Sequence, residues 1–169
     1  MVTSSILRPL ECDAQALADF ENLVIEGGTV DPQGLSERIR DAFRLLFVKE
    51  SNGQLIGVGA LKHPRLGYRC KVFAKAGTTT PPDEYRVELG WVAVAKSHQG
   101  RGLLRRIIRQ LISLAENENL FATTRADARA MRFAADYGFK PAGKPYPSGC
   151  GYDLVLYLVT RGDKHLEGR

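Results

Sequence analysis

The chain has 169 residues, 44% of them hydrophobic and 25% charged, and a formal net charge of +5. That length suits a single domain over residues 1–169, burying roughly 70% of the surface its unfolded form exposes. No apolar run approaches the roughly 20 residues of a membrane-spanning helix, and residues 1–11 lack the basic start and apolar stretch of an export signal, so no membrane association and a cytoplasmic location are expected.

Cys12, Cys70 and Cys150 are widely spaced and odd in number, and His63, His98 and His165 are equally scattered. This argues against a disulfide framework and against a metal site. The positive charge fits either a solvated basic surface or attraction of a polyphosphate or nucleic acid.

Residues 14–26 place apolar groups at helical spacing and stop at Gly27-Gly28. Asp31-Pro32 opens a second predicted helix to about Phe43, with Asp31 as its N-cap. Residues 45–49 and 55–62 are predicted strands, joined by a tight turn at Ser51-Asn52-Gly53. Residues 64–84 are predicted as a long irregular loop, with room for a short strand around Lys71–Ala74.

The second half is more regular. Residues 86–95 read as a strand, followed by a turn over Lys96–Gly102 and a helix from about Gly102 to Asn117. The apolar stripe of that helix is Leu104, Ile107, Ile108, Leu111, Ile112 and Ala115. Residues 119–124 form a short predicted strand. Asp127 then caps a helix running to Tyr137, and residues 139–143 and 152–160 close the domain as strands. The order predicts an α/β fold with a mixed sheet.

The informative segment is Gln99-Gly100-Arg101-Gly102-Leu103-Leu104, where a strand feeds a glycine-containing turn that opens a helix. Such a turn aims several backbone N–H groups at one place, and the helix start adds the positive end of its dipole. A dinucleotide fingerprint would need glycine at position 105, where Arg105 stands. Residues 138–145 imitate a Walker A pattern, but Pro145 replaces the magnesium-binding Ser or Thr, and the segment follows a helix instead of opening one.

Residues 88–104 (ELGWVAVAKSHQGRGLL) and 127–139 (DARAMRFAADYGF) together resemble two motifs of the GNAT superfamily of N-acetyltransferases, in the right order. The resemblance implies an α/β (α+β) domain with a mixed, mostly antiparallel central sheet and helices on both faces. It implies acetyl-CoA as co-substrate, and a small-molecule or protein amine as acceptor. The pyrophosphate would lie on Gln99, Gly100, Arg101, Gly102, Leu103 and Leu104. The pantetheine arm would run along Val92, Ala93 and Val94, with the Val92 N–H near the thioester carbonyl. A homodimer is a common habit of the family.

Glu88 stands eleven residues before Gln99, where several family members carry a general base. The chemistry calls for one, since an alkylammonium of pKa near 10.4 is only about one part in a thousand neutral at pH 7. The bland alternative is an ion pair of Glu88 with Arg86 or Lys62. The chain departs from the family at Leu104, where Gly or Ala is usual, and at Asp127, where Asn is common. It departs again at Ala134, where many members have a tyrosine that protonates the leaving thiolate. Tyr146, Tyr137 and Tyr152 are the substitutes on offer, with Tyr146 and Tyr152 expected in a loop.

Two other classes compete. One is a non-catalytic acyl-CoA sensor or partner-binding module, favoured by Ala134 and opposed by Glu88. The other is a nucleic-acid binder using Arg101, Arg105, Arg106 and Arg109; with only 8% aromatic residues and no basic-aromatic interleaving, it ranks third.

Overall fold

The computed structural model describes residues 1–28, 30–127 and 135–161. Among them are strands β1 (Val2–Leu7), β2 (Arg44–Glu50), β3 (Leu55–Lys62), β4 (Val87–Val94), β5 (Leu120–Arg125), β6 (Lys140–Pro147) and β7 (Asp153–Val159). The helices are α1 (Ala14–Glu26), α2 (Leu35–Arg40), α3 (Leu66–Ala76) and α4 (Leu103–Leu114). The strands form one sheet in the order β1-β2-β3-β4-β5-β7-β6. Every neighbouring pair is antiparallel except β4 and β5, which α4 connects as a parallel crossover. The mixed, mostly antiparallel sheet matches the expectation.

Alternation along the strands divides the core into two faces. Leu46, Val48, Leu61 and Leu120 pack with Ile107, Ile108 and Leu111 of α4. On the other face, Leu45, Phe47, Val58 and Ala60 pack with Phe20 and Val24 of α1 and with Leu35 and Ile39 of α2. Phe121, Leu156 and Leu158 carry that second face onward to Val72, Phe73 and Ala76 of α3. Gly59 lets α4 settle closely on β3: a Cβ there would stand 2.7 Å from Ile107 Cγ2 and 2.9 Å from Leu111 Cδ1.

Several predicted elements are corrected. The segment read as a loop contains α3, and Lys71–Ala74 is helical within it. Its buried residues Arg69, Val72, Phe73 and Ala76 have plain helical spacing, but an arginine at the first position hides the pattern. Arg69 is only 9% exposed. It donates to the carbonyls of Pro64 (3.2 Å), Pro82 (2.7 Å) and Tyr85 (3.2 Å), which satisfies its buried guanidinium.

The predicted 31–43 helix shrinks to α2. Gly34, at φ 66°, is its N-cap, while Asp31 Oδ1 accepts from the N–H of Gln33 (3.0 Å) in a local turn. Strand β1 was not expected. Its sequence alternates too weakly to signal a strand, and its place comes from pairing with β2. Tyr146 lies on β6, which extends beyond the predicted 139–143, and not in a loop. The helix predicted from Asp127 to Tyr137 falls largely on 128–134, outside the described residues, as does Ala134.

Candidate active site

Strand β4 begins as an ordinary member of the sheet and then leaves it. It pairs with β5 only at Val87–Leu120 and Glu88–Phe121, although it continues on β3 to Val94. Trp91 supplies the bend. Its φ is +51°, and the register with β3 shifts between Val58 and Ala60. The facing of β4 reverses at this bulge. Val87 and Leu89 belong to the α4 face, whereas Trp91 and Ala93 belong to the face of α1 and α2. Beyond the bulge, Ala95 N–H bonds Ile56 O on β3 (2.9 Å), so alternation turns the amide of Val94 toward the gap.

A cavity of about 290 Å³ fills the gap. Glu88–Val92 of β4 line one side and Ala122–Arg125 of β5 the other. Lys62, Tyr68 of α3, Asp31, Arg38 of α2, and Ser148, Cys150 and Tyr152 also line it.

Glu88 is 4% exposed. Its Oε2 lies 3.0 Å from Lys62 Nζ, and its Oε1 accepts a hydrogen bond from the Tyr68 hydroxyl (3.4 Å). The Lys62 ammonium also sits 4.5 Å from the centre of the Trp91 ring. Of the two partners weighed for Glu88, the fold selects Lys62, while Arg86 is exposed. Tyr68 is 44% exposed as a residue, but its hydroxyl is turned inward, and burial together with the Glu88 charge pushes its ionisation upward. Tyr146 is 6% exposed and packs under α3. Burial, followed by the nearby Glu88 charge, pushes its pKa up to about 12. Neither phenol is ionised at neutral pH.

The turn ahead of α4 adjoins this end of β4. Gly100 and Gly102 have φ of 76° and 77°, left-handed values that glycine adopts without strain. The first bond inside α4 runs from Arg106 N–H to Gly102 O (3.1 Å), so the N–H groups of Leu103 and Leu104 have no acceptor within the helix. Two contacts fasten the turn. Gln99 Nε2 donates to Val94 O (3.2 Å), and His98 Nε2 lies 3.0 Å from Glu50 Oε1 while its Nδ1 meets Ser97 Oγ at 2.8 Å. Leu103 is buried and Leu104 half-buried against the α4 core, so the departure at Leu104 is absorbed as packing.

The other candidates are placed as follows. Ala93 turns its methyl toward α1, 3.4 Å from where a Cβ on Gly27 would lie, and pairs with Val58 of β3. Tyr137 packs against the α4-side core and is not part of the cavity wall. Asp127 is held by Arg125, at 3.0 and 3.2 Å, and that hydrogen bonding lowers its pKa. Arg125 in turn lies 4.7 Å from the Tyr152 ring centre. Sequence reasoning missed Tyr68 and Arg38 as cavity residues. It also missed the bulge, for which Gly90 inside a strand was the available signal. Among the described residues no cluster of His, Cys, Asp and Glu could hold a metal ion, and no helix is long and apolar enough to cross a membrane.

Comparison with known proteins adds a family. Residues 15–139 match the model of the Acetyltransferase (GNAT) family. N-alpha-acetyltransferase RimI of Mycobacterium tuberculosis is 27% identical over 155 residues, covering 89% of each chain. Among solved structures, Escherichia coli ElaA superposes with a TM-score of 0.71 at 14% identity, covering 95% of this chain and 100% of its own. The ribosomal-protein-S18-alanine N-acetyltransferase of Escherichia coli does so with a TM-score of 0.66 at 16% identity, covering 99% and 100%.

Proposed function

The chain belongs to the acetyltransferase (GNAT) family, and from that premise we propose that it transfers an acetyl group from acetyl-CoA to a primary amine by direct attack on the thioester. The observation that carries this reading is the parting of β4 from β5 after Glu88, with a cavity in the gap and a helix start beside it.

The residues present fit the coenzyme. The left-handed glycines and the amides of Leu103 and Leu104 suit a diphosphate, because a helix start favours negative charge by about 0.3–1 kcal/mol per exposed charge. Val92 and Val94 would pair with the pantetheine arm through their backbone amides. The Val92 N–H would then stand near the thioester carbonyl, where a backbone donor stabilises the developing oxyanion. Asp127 is a weaker contact, since Arg125 already holds its carboxylate.

The acceptor amine would enter beside Arg38 and Tyr68 and meet Glu88, which takes its proton directly or through a water. Coenzyme A leaves as a thiolate that needs little help. Tyr146 retains its proton at neutral pH, the form that a general acid for the thiolate needs. Tyr137 packs against the α4-side core, and neither it nor Tyr146 lines the cavity.

A thiol-release assay with acetyl-CoA and a broad amine panel, peptide N-termini and lysine side chains included, tests the proposal. Turnover with at least one amine class is expected. Coenzyme binding with no turnover across the panel would favour the sensor that Ala134 suggests.

A further inference from the structure

One alkylammonium already stands in the cavity, and it belongs to the chain itself. Lys62 Nζ lies 3.0 Å from Glu88 Oε2 and 4.5 Å from the Trp91 ring centre. Its stem passes over Gly90, where a Cβ would stand 3.0 Å from both Lys62 Cε and Nζ. The lysine therefore runs along β4 from the carboxylate toward the bulge, on the strand that the thioester is proposed to follow.

An outside acceptor amine has three needs: a carboxylate to take its proton, a wall that strips its water, and nearness to β4 beyond Glu88. Lys62 meets the first two in place, through Glu88 and Trp91. The third asks its flexible four-carbon stem to swing on past Gly90.

We propose that Lys62 is an internal acceptor, acetylated by this same active site when acetyl-CoA is bound and no outside amine fills the cavity. The inference rests on the coenzyme site proposed above. Glu88 removes one proton from the ammonium, and the freed nitrogen lone pair attacks the thioester carbonyl carbon. A C–N bond forms and the C–S bond breaks. As the C–S bond breaks the nitrogen loses its second proton; coenzyme A departs as thiolate and takes up one of the two protons, the other passes to solvent, and no further reactant is required. The product acetamide carries no charge to pair with Glu88 and occupies the space of the acceptor. Acetyl-CoA in excess over acceptor would thus silence the enzyme.

The test incubates the full chain with isotopically labelled acetyl-CoA and no amine, followed by intact mass and peptide mapping. Calorimetric binding of acetyl-CoA is measured on the same preparations. One acetyl group on Lys62 is expected, absent in Lys62→Arg and formed roughly 100-fold more slowly in Glu88→Gln, with coenzyme binding kept in both variants. Exposed lysines such as Lys71 and Lys144 react only by slow chemical acetylation, which is indifferent to Glu88. An unmodified Lys62 in a chain that binds the coenzyme and turns over outside amines would overturn the inference and leave the proposed function standing. Label spread over exposed lysines and unchanged by Glu88→Gln would overturn it as well. Failure to bind acetyl-CoA would remove both.

Discussion

In the proposed reaction Glu88 is the residue on which the chemistry turns, and its surroundings fix where that carboxylate stands. It is buried, anchored by the Lys62 ammonium and the Tyr68 hydroxyl, and placed at the last paired position before β4 leaves β5. Glu88→Gln keeps the shape and removes the proton acceptor, so kcat should fall roughly 100-fold or more while the Kd for acetyl-CoA changes little. Unchanged turnover near neutral pH would remove Glu88 from the mechanism.

The phenol beside it makes a separate prediction. Tyr146 ionises near 10 when unfolded and near 12 in the fold. Between those values the unfolded chain has lost a proton that the native chain keeps, so stability is full below pH 10 and declines as pH rises toward 12. Thermal melts across that window should show the decline, and Tyr146→Phe should lessen it, leaving the part that the likewise raised Tyr68 contributes. Glu88 was singled out in the sequence by the family resemblance. Tyr68 was not, because it lies in a segment whose helical period is masked by the buried Arg69.

At the scale of elements, what was legible follows from how locally each one is determined. Helix α1 and strand β3 were read with the bounds they have, since caps, a turn and an apolar pattern all lie within their own residues. Helix α4 was read from its stripe and its glycine turn. Strand β1 and helix α3 depend on partners far along the chain, β2 for the first and the carbonyls of Pro82 and Tyr85 for the second. The Trp91 bulge likewise arises from the β3 register and leaves only Gly90 as a trace. The seating of α4 ties packing to the cradle. Gly59→Ala would press a methyl on the fully buried Ile107 and Leu111, lifting the helix whose start faces the proposed diphosphate. A loss of about 1–3 kcal/mol in urea unfolding is expected, together with weaker acetyl-CoA binding in the folded protein. Unaltered stability would show that β3 and α4 part without cost.

Across the whole molecule, Arg38 of α2, Lys62 of β3, Tyr68 of α3 and Glu88 of β4 meet at one cavity. The net charge of +5 favours approach of the polyanionic coenzyme, so its association rate should fall as ionic strength rises. Binding to the native state alone should also raise the melting temperature, by about 5–10 °C at a coenzyme concentration near 100 times Kd. A melting temperature unmoved by millimolar acetyl-CoA would count against any coenzyme site.

The most direct measurement is a crystal structure of the protein with acetyl-CoA. It should place the diphosphate against the amides of residues 100–104 and the pantetheine arm between β4 and β5, with the thioester beside Val92. A coenzyme seated elsewhere, with the gap and the start of α4 both left empty, would contradict the account.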